Sequence, residues 1–316
     1  MERFVWNNAP KQELMESFMG FLPRNTSYSH YCEGGNVKAC LAAVQMDCRL
    51  GNVNDNLGKA EKLIASVKKS ILRGATLVCL PELFSTGYKL EENLVRIAES
   101  IPGRTTSRLS EIARNYGIYI VGGLPEKSST SDTIYNATVI ISPEGELLGK
   151  YRKIQLAGEL DRRAFAPGRK MSFFDTPFGR VGVLICYDQV FPELTRCLAL
   201  ANCDIIAHSS AWYMQKGEER WIAGGKQYTS FLIARAMENT VFWVSADRIG
   251  VEDELKYVGH SCIVAPWGKT LSILEDEEGV AIARIDTEDL YKWREKFAPY
   301  LKERRPNLYR RFYADV

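Results

Sequence analysis

Three polar residues stand at the ends of apolar stretches that are far apart in the chain: Glu82, Lys153 and Cys186. A thiol is only weakly ionised at neutral pH, so it needs a base before it can attack a carbon atom, and a glutamate can supply that base. The attacked carbonyl develops negative charge, which a lysine ammonium and backbone N–H groups can stabilise. In combination, these residue types predict hydrolysis through a cysteine nucleophile.

Each of the three residues also has an ordinary structural explanation. A cysteine at the end of a buried strand is most often a small core side chain, a glutamate after a strand often caps a turn, and a lysine on a hairpin usually faces water. Pro192, six residues after Cys186, is a favoured first residue of a helix, so we expect the thiol in a strand-to-helix turn. The chemical interpretation depends on whether the fold brings the three together.

Length and composition restrict the class of protein. The chain has 316 residues, 46% of them hydrophobic, and a net charge of +2, so no overall field steers it to nucleic acid or a membrane. No apolar segment reaches the roughly 20 residues of a membrane span, and the first 36 residues lack the apolar segment of a secretory signal. We therefore expect a cytoplasmic protein with reduced cysteines.

Metal and nucleotide sites are not indicated by the sequence. It has no C-x-x-C motif, and its three histidines are not at ligand spacing, so no metal is expected. Glycine-rich phosphate-binding loops are also missing, and we expect no cofactor.

The apolar pattern alternates between strands and helices from residue 37 onward, without a linker that would divide the chain. Predicted strands lie at 38–46, 75–82, 118–126, 180–186, 204–210, 240–248, 259–265, 270–274 and 279–285, with a hairpin over 134–156. Predicted helices lie at 11–22, 52–74, 106–117, 192–203 and 218–238. This alternation predicts an α/β fold in which helices cover mixed sheets.

The residues around the three polar positions resemble a known family. PELFSTGY, KYRKIQL and CYDQVFPE are similar, in order and separation, to the three signature blocks of the nitrilase superfamily, the carbon–nitrogen hydrolases. The similarity extends over about 38–310. It implies that Glu82 is the general base, Lys153 the oxyanion stabiliser and Cys186 the nucleophile, with the N–H of Tyr187 as a second oxyanion donor.

The resemblance also implies the fold and the assembly. The family has a four-layer αββα sandwich of two mixed sheets, and its subunits commonly pair, so we expect a homodimer or a larger homo-oligomer. We expect an N-terminal extension (1–36), a hydrolase domain (37–290) and a C-terminal arm (291–316). Family members usually carry a second glutamate after the lysine. Residue type favours Glu159 for this role, whereas counting back from Pro167 favours Asp161.

The substrate is expected to be a small amide. Relatives that bind a free carboxylate often have arginine just after the Cys-x-Asp block, where this chain has Gln189 and Val190. The resemblance therefore implies a neutral or cationic linear amide, or an N-carbamoyl amine. Trp212 and Tyr213 are expected to line the pocket, with core packing as the alternative for this pair.

Three other functions compete with amide hydrolysis. Nitrile hydrolysis keeps the family, but the tryptophan and glutamate of true nitrilases do not follow Cys186. A non-catalytic scaffold should lack one of the three polar residues, and none is missing. Residues 291–313 mix basic and aromatic side chains, as a nucleic-acid-binding surface does. The ordinary alternative is a C-terminal arm that packs on the subunit surface.

Overall fold

The computed structural model describes residues 38–88, 94–215, 217 and 223–313. The predicted extension at 1–36, with its short helix at 11–22, lies outside the described residues, as do residues 218–222 at the start of a predicted helix. In chain order the described strands are β1 (Lys38–Asp47), β2 (Thr76–Cys79), β3 (Tyr119–Lys127), β4 (Ile134–Ile141), β5 (Leu147–Arg152), β6 (Ser172–Thr176), β7 (Gly179–Ile185), β8 (Ile205–Ser210), β9 (Tyr213–Gln215), β10 (Phe242–Ile249), β11 (Val251–Glu252), β12 (Leu255–Tyr257), β13 (Cys262–Val264), β14 (Thr270–Ile273) and β15 (Gly279–Asp286).

The described helices are α1 (Val53–Ser66), α2 (Leu94–Ile97), α3 (Arg104–Tyr116), α4 (Gly158–Ala164), α5 (Pro192–Leu200), α6 (Gly224–Asn239), α7 (Thr287–Lys296), α8 (Tyr300–Glu303) and α9 (Pro306–Tyr313). A 3-10 turn, Cys186–Val190, follows β7 directly. We call it the Cys186 turn.

The main strands form two halves of one hydrogen-bonded sheet system. The first half has the order β5-β4-β3-β2-β1-β15 and the second β6-β7-β8-β10-β13-β14. In each half the three central strands run parallel and the outer strands are antiparallel, so both halves are mixed. The halves join where β1 pairs with the end of β10, Met46 opposite Arg248. Strands β9, β11 and β12 form a separate three-stranded sheet.

The two halves face one another across a shared apolar core. Alternate side chains of β1 point to opposite faces. Leu41 lies in the same apolar cluster as residues of β7, β8 and β10, whereas Val44 packs in a second cluster with residues of α1 and α3. Helices α5 and α6 pack on the second half, where they contribute Leu198 and Leu232 to the core. The layers are helix, sheet, sheet and helix, as the αββα prediction requires.

Helix α1 is shorter than the helix predicted over 52–74. Asn52 caps its first turn by accepting a hydrogen bond from the N–H of Asp55. At the other end, the N–H of Val67 bonds to the carbonyl of Ile64, an i to i−3 bond that tightens the last turn and ends the α-helix at Ser66. The following residues form turns rather than continuing the helix.

The start of the predicted C-terminal arm packs against the second half of the sheet system. The hydroxyl of Tyr291 lies 3.3 Å from an oxygen of Asp204, and Arg294 donates to the other oxygen at 2.7 Å. Trp293 stacks on Phe297, with ring centroids 5.5 Å apart. Tyr291 and Trp293, which belong to the basic aromatic pattern of residues 291–313, are therefore engaged in packing. None of the helices in the described part of the chain combines the length and apolar character of a membrane span.

Candidate active site

Glu82 follows β2 in a tightly packed turn. Its N–H bonds to the carbonyl of Ser210 at the end of β8, which ties this turn to the second half of the sheet system. The next residue, Leu83, has a positive φ of 47°. A Cβ at Gly123 would lie 2.6 Å from the N atom of Leu83, so only glycine lets β3 approach this closely. The Glu82 side chain is fully buried.

Lys153 follows β5 and reaches the same place from the edge of the first half. Its N–H bonds to the carbonyl of Asn136 on the neighbouring strand. Its Nζ lies 2.7 Å from Glu82 Oε1 and 2.7 Å from Asp161 Oδ2, and all three side chains are buried. Asn136 Nδ2 also donates to Glu82 Oε1, at 2.6 Å. Glu82 Oε2 has no hydrogen-bond partner among the described residues, so one carboxylate oxygen remains available.

Asp161, and not Glu159, is the carboxylate beside Lys153. Asp161 accepts hydrogen bonds from the N–H of Ala157 at 2.8 Å and from the hydroxyl of Tyr88, in addition to Lys153. Glu159 forms an exposed ion pair with Arg163, and about three quarters of its side chain is accessible. The preference for Glu159 by residue type is corrected by this geometry, since α4 turns Asp161 inward and Glu159 to the surface.

Cys186 begins the 3-10 turn after β7 with a positive φ of 43°, which is unusual for a residue with a side chain. Asp188 holds the turn from within: it accepts hydrogen bonds from the N–H groups of Ile185 and Gln155, and from the hydroxyl of Tyr151. Cys186 is almost fully buried, with 5% of the residue exposed.

The ionisable groups of the site act strongly on one another. Burial raises the pKa of the Glu82 carboxyl, against the opposing charge of Lys153. Burial disfavours the Lys153 ammonium, but Asp161 and Glu82 outweigh it and hold its pKa well above the ordinary value. Burial and the nearby charge of Glu82 raise the pKa of the Cys186 thiol well above its usual range. The shifts favour the neutral thiol of Cys186 and the charged ammonium of Lys153.

Of the two predicted pocket aromatics, Tyr213 lies at this site. Asp161 and Cys186 lie close enough to contribute to the pKa of Tyr213, which burial raises to about 12. Its ring packs edge-on against Tyr88, with centroids 5.8 Å apart. Trp212 is different. Its ring packs against Tyr228 and Phe231 of α6, which is the core packing considered as the alternative. These contacts favour the packing alternative, and the place of Trp212 in the pocket stays a prediction.

Tyr187 lies within the Cys186 turn, and its ring packs edge-on against Phe191. Its N–H belongs to the first turn, where N–H groups have no acceptor inside the helix.

Sequence reasoning missed several residues of this region: Asn136, Tyr88, Arg235 and His208. Asn136 carried a usable signal, because it is a polar residue within an apolar strand. The others are brought to the site only by the fold.

Most of the chain matches a known family. The family model described as "Carbon-nitrogen hydrolase" matches residues 40–295. The chain belongs to the carbon–nitrogen hydrolase family. It is 41% identical over 279 residues to a protein named nitrilase from Pyrococcus abyssi, covering 85% of this chain and 98% of that protein. It is 37% identical to an omega-amidase of Xenopus laevis, covering 81% of this chain and 91% of the relative.

Solved structures of the nitrilase superfamily share the fold of this carbon–nitrogen hydrolase. An amidase from Nesterenkonia sp. superposes with a TM-score of 0.71 at 27% identity, covering 87% of this chain and 96% of that one. Saccharomyces cerevisiae Nit3, a member of branch 10 of the superfamily, gives 0.73 at 27% identity, covering 82% and 94%. The chain is an amidase-type enzyme that hydrolyses carbon–nitrogen bonds.

Proposed function

We propose that this enzyme hydrolyses a linear amide through a thioester on Cys186, with Glu82 as general base and Lys153 as oxyanion stabiliser. One observation carries the proposal. A lysine with no exposed surface bridges two buried carboxylates beside a cysteine whose pKa responds to both Glu82 and Lys153. Such a cluster is costly to bury as a purely structural device, and perturbed groups of this kind concentrate at reactive sites.

In the first half-reaction, Cys186 attacks the amide carbon while Glu82 accepts the thiol proton on its unpartnered Oε2. The carbonyl oxygen becomes an oxyanion. Lys153 has three N–H donors, of which Glu82 and Asp161 occupy two, so one remains for the oxyanion. The N–H of Tyr187 is the second donor. The intermediate then collapses, Glu82 returns the proton to the leaving nitrogen, and ammonia or an amine departs from the thioester.

In the second half-reaction, water replaces the departed amine. Glu82 removes a proton from the water as its oxygen attacks the thioester carbon, and the same two donors stabilise the second oxyanion. The carbon–sulfur bond then breaks and the thiol regains its proton from Glu82. In this mechanism Asp161 is a positioning residue, since it anchors the Lys153 ammonium without reaching the substrate.

We propose a neutral or cationic linear amide, or an N-carbamoyl amine, as the substrate. Gln189 and Val190 stand where an arginine would bind a substrate carboxylate, and the tyrosines Tyr88 and Tyr213 give the neighbouring wall an aromatic character. Relatives named omega-amidase and nitrilase make ω-amides and nitriles the two alternatives to compare.

Ammonia release from a panel of amides, carbamoyl amines, ω-amides and nitriles tests the proposal. We expect turnover of the neutral or cationic amides, and a loss of several orders of magnitude in Cys186→Ala with the fold retained by circular dichroism. Cys197→Ala is the matched control, because Cys197 is an exposed cysteine on α5. Comparable activity in Cys186→Ala contradicts the nucleophile assignment, and exclusive turnover of nitriles contradicts the amide assignment.

We also propose a homodimer or larger homo-oligomer in the cytoplasm. Leu200 and Met237, the apolar side chains near the ends of α5 and α6, are about 40% exposed, which favours a second copy against these helices. The described cysteines are all free, in keeping with a reducing compartment. Light scattering coupled to size-exclusion chromatography measures the oligomer directly, and a monomer across micromolar concentrations contradicts the assembly.

A further inference from the structure

A buried histidine contacts the backbone of the proposed nucleophile. His208 lies in β8 with no exposed surface. Its Nε2 is 3.1 Å from the carbonyl oxygen of Cys186, and its Nδ1 is 2.5 Å from Ser245 Oγ on β10. The hydroxyl of Tyr228 on α6 contacts the same Ser245 oxygen. A continuous hydrogen-bonded chain therefore runs from α6 to the peptide that follows Cys186.

The partners fix the tautomer of His208. A carbonyl oxygen can only accept a hydrogen bond, so Nε2 must carry the proton that it shares with Cys186. Nδ1 then accepts from the Ser245 hydroxyl, whose oxygen in turn accepts from Tyr228. Burial, with a smaller contribution from the charge of Lys153, lowers the pKa of His208 to about 3. The imidazole is thus neutral and holds one tautomer at physiological pH.

The peptide that His208 contacts also contains the N–H of Tyr187. A trans peptide is planar, and its C=O and N–H groups point in opposite directions. Because the buried His208 binds the carbonyl of Cys186, the N–H of Tyr187 points to the opposite side of this peptide, away from His208. Cys186 also has a strained positive φ, which surrounding contacts must maintain.

We propose that His208 is a positioning residue for the oxyanion site: by binding the Cys186 carbonyl, it orients the Tyr187 N–H toward the developing negative charge. This inference rests on the proposed thioester mechanism and adds a residue to it. His208 touches no reacting atom. It acts through the peptide plane, and Ser245 and Tyr228 act through His208.

Two substitutions of His208 separate its hydrogen bond from its bulk. His208→Phe keeps a planar ring without a donor, whereas His208→Gln retains an amide N–H that can reach the carbonyl. Removal of one oxyanion donor lowers kcat by about 100- to 1,000-fold in known cases, so a misaligned donor should lower it by at least about tenfold in His208→Phe. We expect KM to change by less than about threefold, and kcat to recover in His208→Gln, because the lost interaction is made in the transition state.

Two thiol probes distinguish the oxyanion site from the nucleophile. Iodoacetamide alkylates sulfur without forming an oxyanion, so its rate at Cys186, followed by peptide mass spectrometry, should be the same in wild type and His208→Phe. Acetaldehyde labelled at C1 with ¹³C forms a tetrahedral thiohemiacetal on Cys186, and its affinity should fall at least about tenfold in His208→Phe. The aldehyde measurement needs no turnover, so it tests His208 even where no amide is hydrolysed.

Further variants control for loss of structure. Ser245→Ala keeps the imidazole but removes the group that fixes its tautomer, and we expect values between wild type and His208→Phe. Leu290→Ala, at a buried position of α7, is a control for general destabilisation and should leave kcat unchanged. Equal kcat and equal aldehyde affinity in wild type and His208→Phe overturn the positioning role and leave the nucleophile assignment intact. Parallel loss of alkylation and aldehyde binding in both His208 variants also overturns it.

Discussion

Asp161 and Glu159 differ by only two positions in the chain, and the fold gives them opposite environments. Residues two apart on a helix are separated by about 200° around its axis, so they cannot share a face. Asp161 is buried against Lys153, while Glu159 is paired with Arg163 at the surface. Residue type alone would choose the glutamate. The side on which each carboxylate emerges from α4 determines which one can act on the lysine.

Replacement of each carboxylate by its amide tests this difference. Asp161→Asn removes one of the two negative charges that keep Lys153 charged and places a donor group near its ammonium, so we expect kcat to fall roughly 100-fold. Glu159→Gln breaks an exposed ion pair, which contributes little, and should change kcat by less than about twofold. Steady-state ammonia release measures both. A larger loss in Glu159→Gln than in Asp161→Asn reverses the assignment.

His208 should also make stability depend on pH. Its folded pKa of about 3 lies below the value near 6.5 in the unfolded chain. As pH falls below 6.5, protons bind this residue in the unfolded chain but not in the folded one, so its contribution to stability is lost. The stability of wild type relative to His208→Phe should therefore decline by about 1.4 kcal/mol for each pH unit between 6 and 4.

Urea unfolding at pH 7, 6, 5 and 4 measures this difference. Comparison with His208→Phe is necessary because other buried groups titrate in the opposite direction. Burial raises the pKa of Asp188 to about 6, which adds stability as pH falls through that value. Subtracting the unfolding free energy of His208→Phe from that of wild type removes the contributions that both proteins share. A difference that stays constant from pH 7 to pH 4 contradicts a neutral buried His208.

At the scale of elements, the Cys186 turn is held by one of its own side chains and by one from α6. Asp188, within the turn, accepts hydrogen bonds from the N–H of Ile185 at its start and from the N–H of Gln155, which follows β5. At the end of the turn, Arg235 of α6 donates to the carbonyl of Gln189 at 2.8 Å and to that of Val190 at 2.9 Å. Helix α6 therefore supports the turn through a buried guanidinium as well as through His208's partner Tyr228.

Substitution of Arg235 should loosen this turn. Arg235→Met leaves two carbonyl groups without their partner, and we expect a loss of about 2–3 kcal/mol in the free energy of unfolding together with a lower kcat. Arg196→Met is the matched control. Arg196 joins α5 to the carbonyl of Glu238 on α6 but donates no hydrogen bond to the turn, so stability should fall without a change in kcat. Equal kcat in both variants excludes a role of Arg235 in the turn.

The sequence predicts best those strands and helices that are buried through a run or stripe of apolar residues. The strands at the centre of each half, and helices α3 and α5, are found within a few residues of their predicted positions, whereas α1 ends at Ser66 instead of residue 74. Their ends allow Glu82 and Cys186 to be proposed without coordinates. Helix α4 is too short for a periodic pattern, and Gly158 begins it with a positive φ of 56°, so the choice of Asp161 could not be predicted.

Partners from distant strands are equally beyond sequence reasoning. His208 looks like an ordinary polar residue in a strand, and only the parallel pairing of β8 with both β7 and β10 puts it between Cys186 and Ser245. The aromatic pair Trp212 and Tyr213 presents a related difficulty. Adjacent side chains at the end of a strand diverge, and the sequence does not say which of two consecutive aromatics faces the site.

At the scale of the whole molecule, the site depends on both halves of the sheet system. Glu82 and Lys153 come from the first half, and Cys186 comes from the second. The halves share one apolar core and are joined through β1 and β10. A relative shift of the two halves would separate the thiol from its base. The mechanism therefore requires that they fold and open as one cooperative unit.

Buried cysteines in each half allow that requirement to be tested by thiol labelling in native conditions. Cys40 lies in β1 of the first half and Cys262 in β13 of the second, and neither has exposed surface. If the halves open together, the free energy of exposure at both cysteines should agree with the global free energy of unfolding to within about 1 kcal/mol. Faster labelling of Cys262 than of Cys40 would mean that the second half opens alone. The Cys186 thiol would then separate from Glu82 and Lys153 in molecules that are still partly folded.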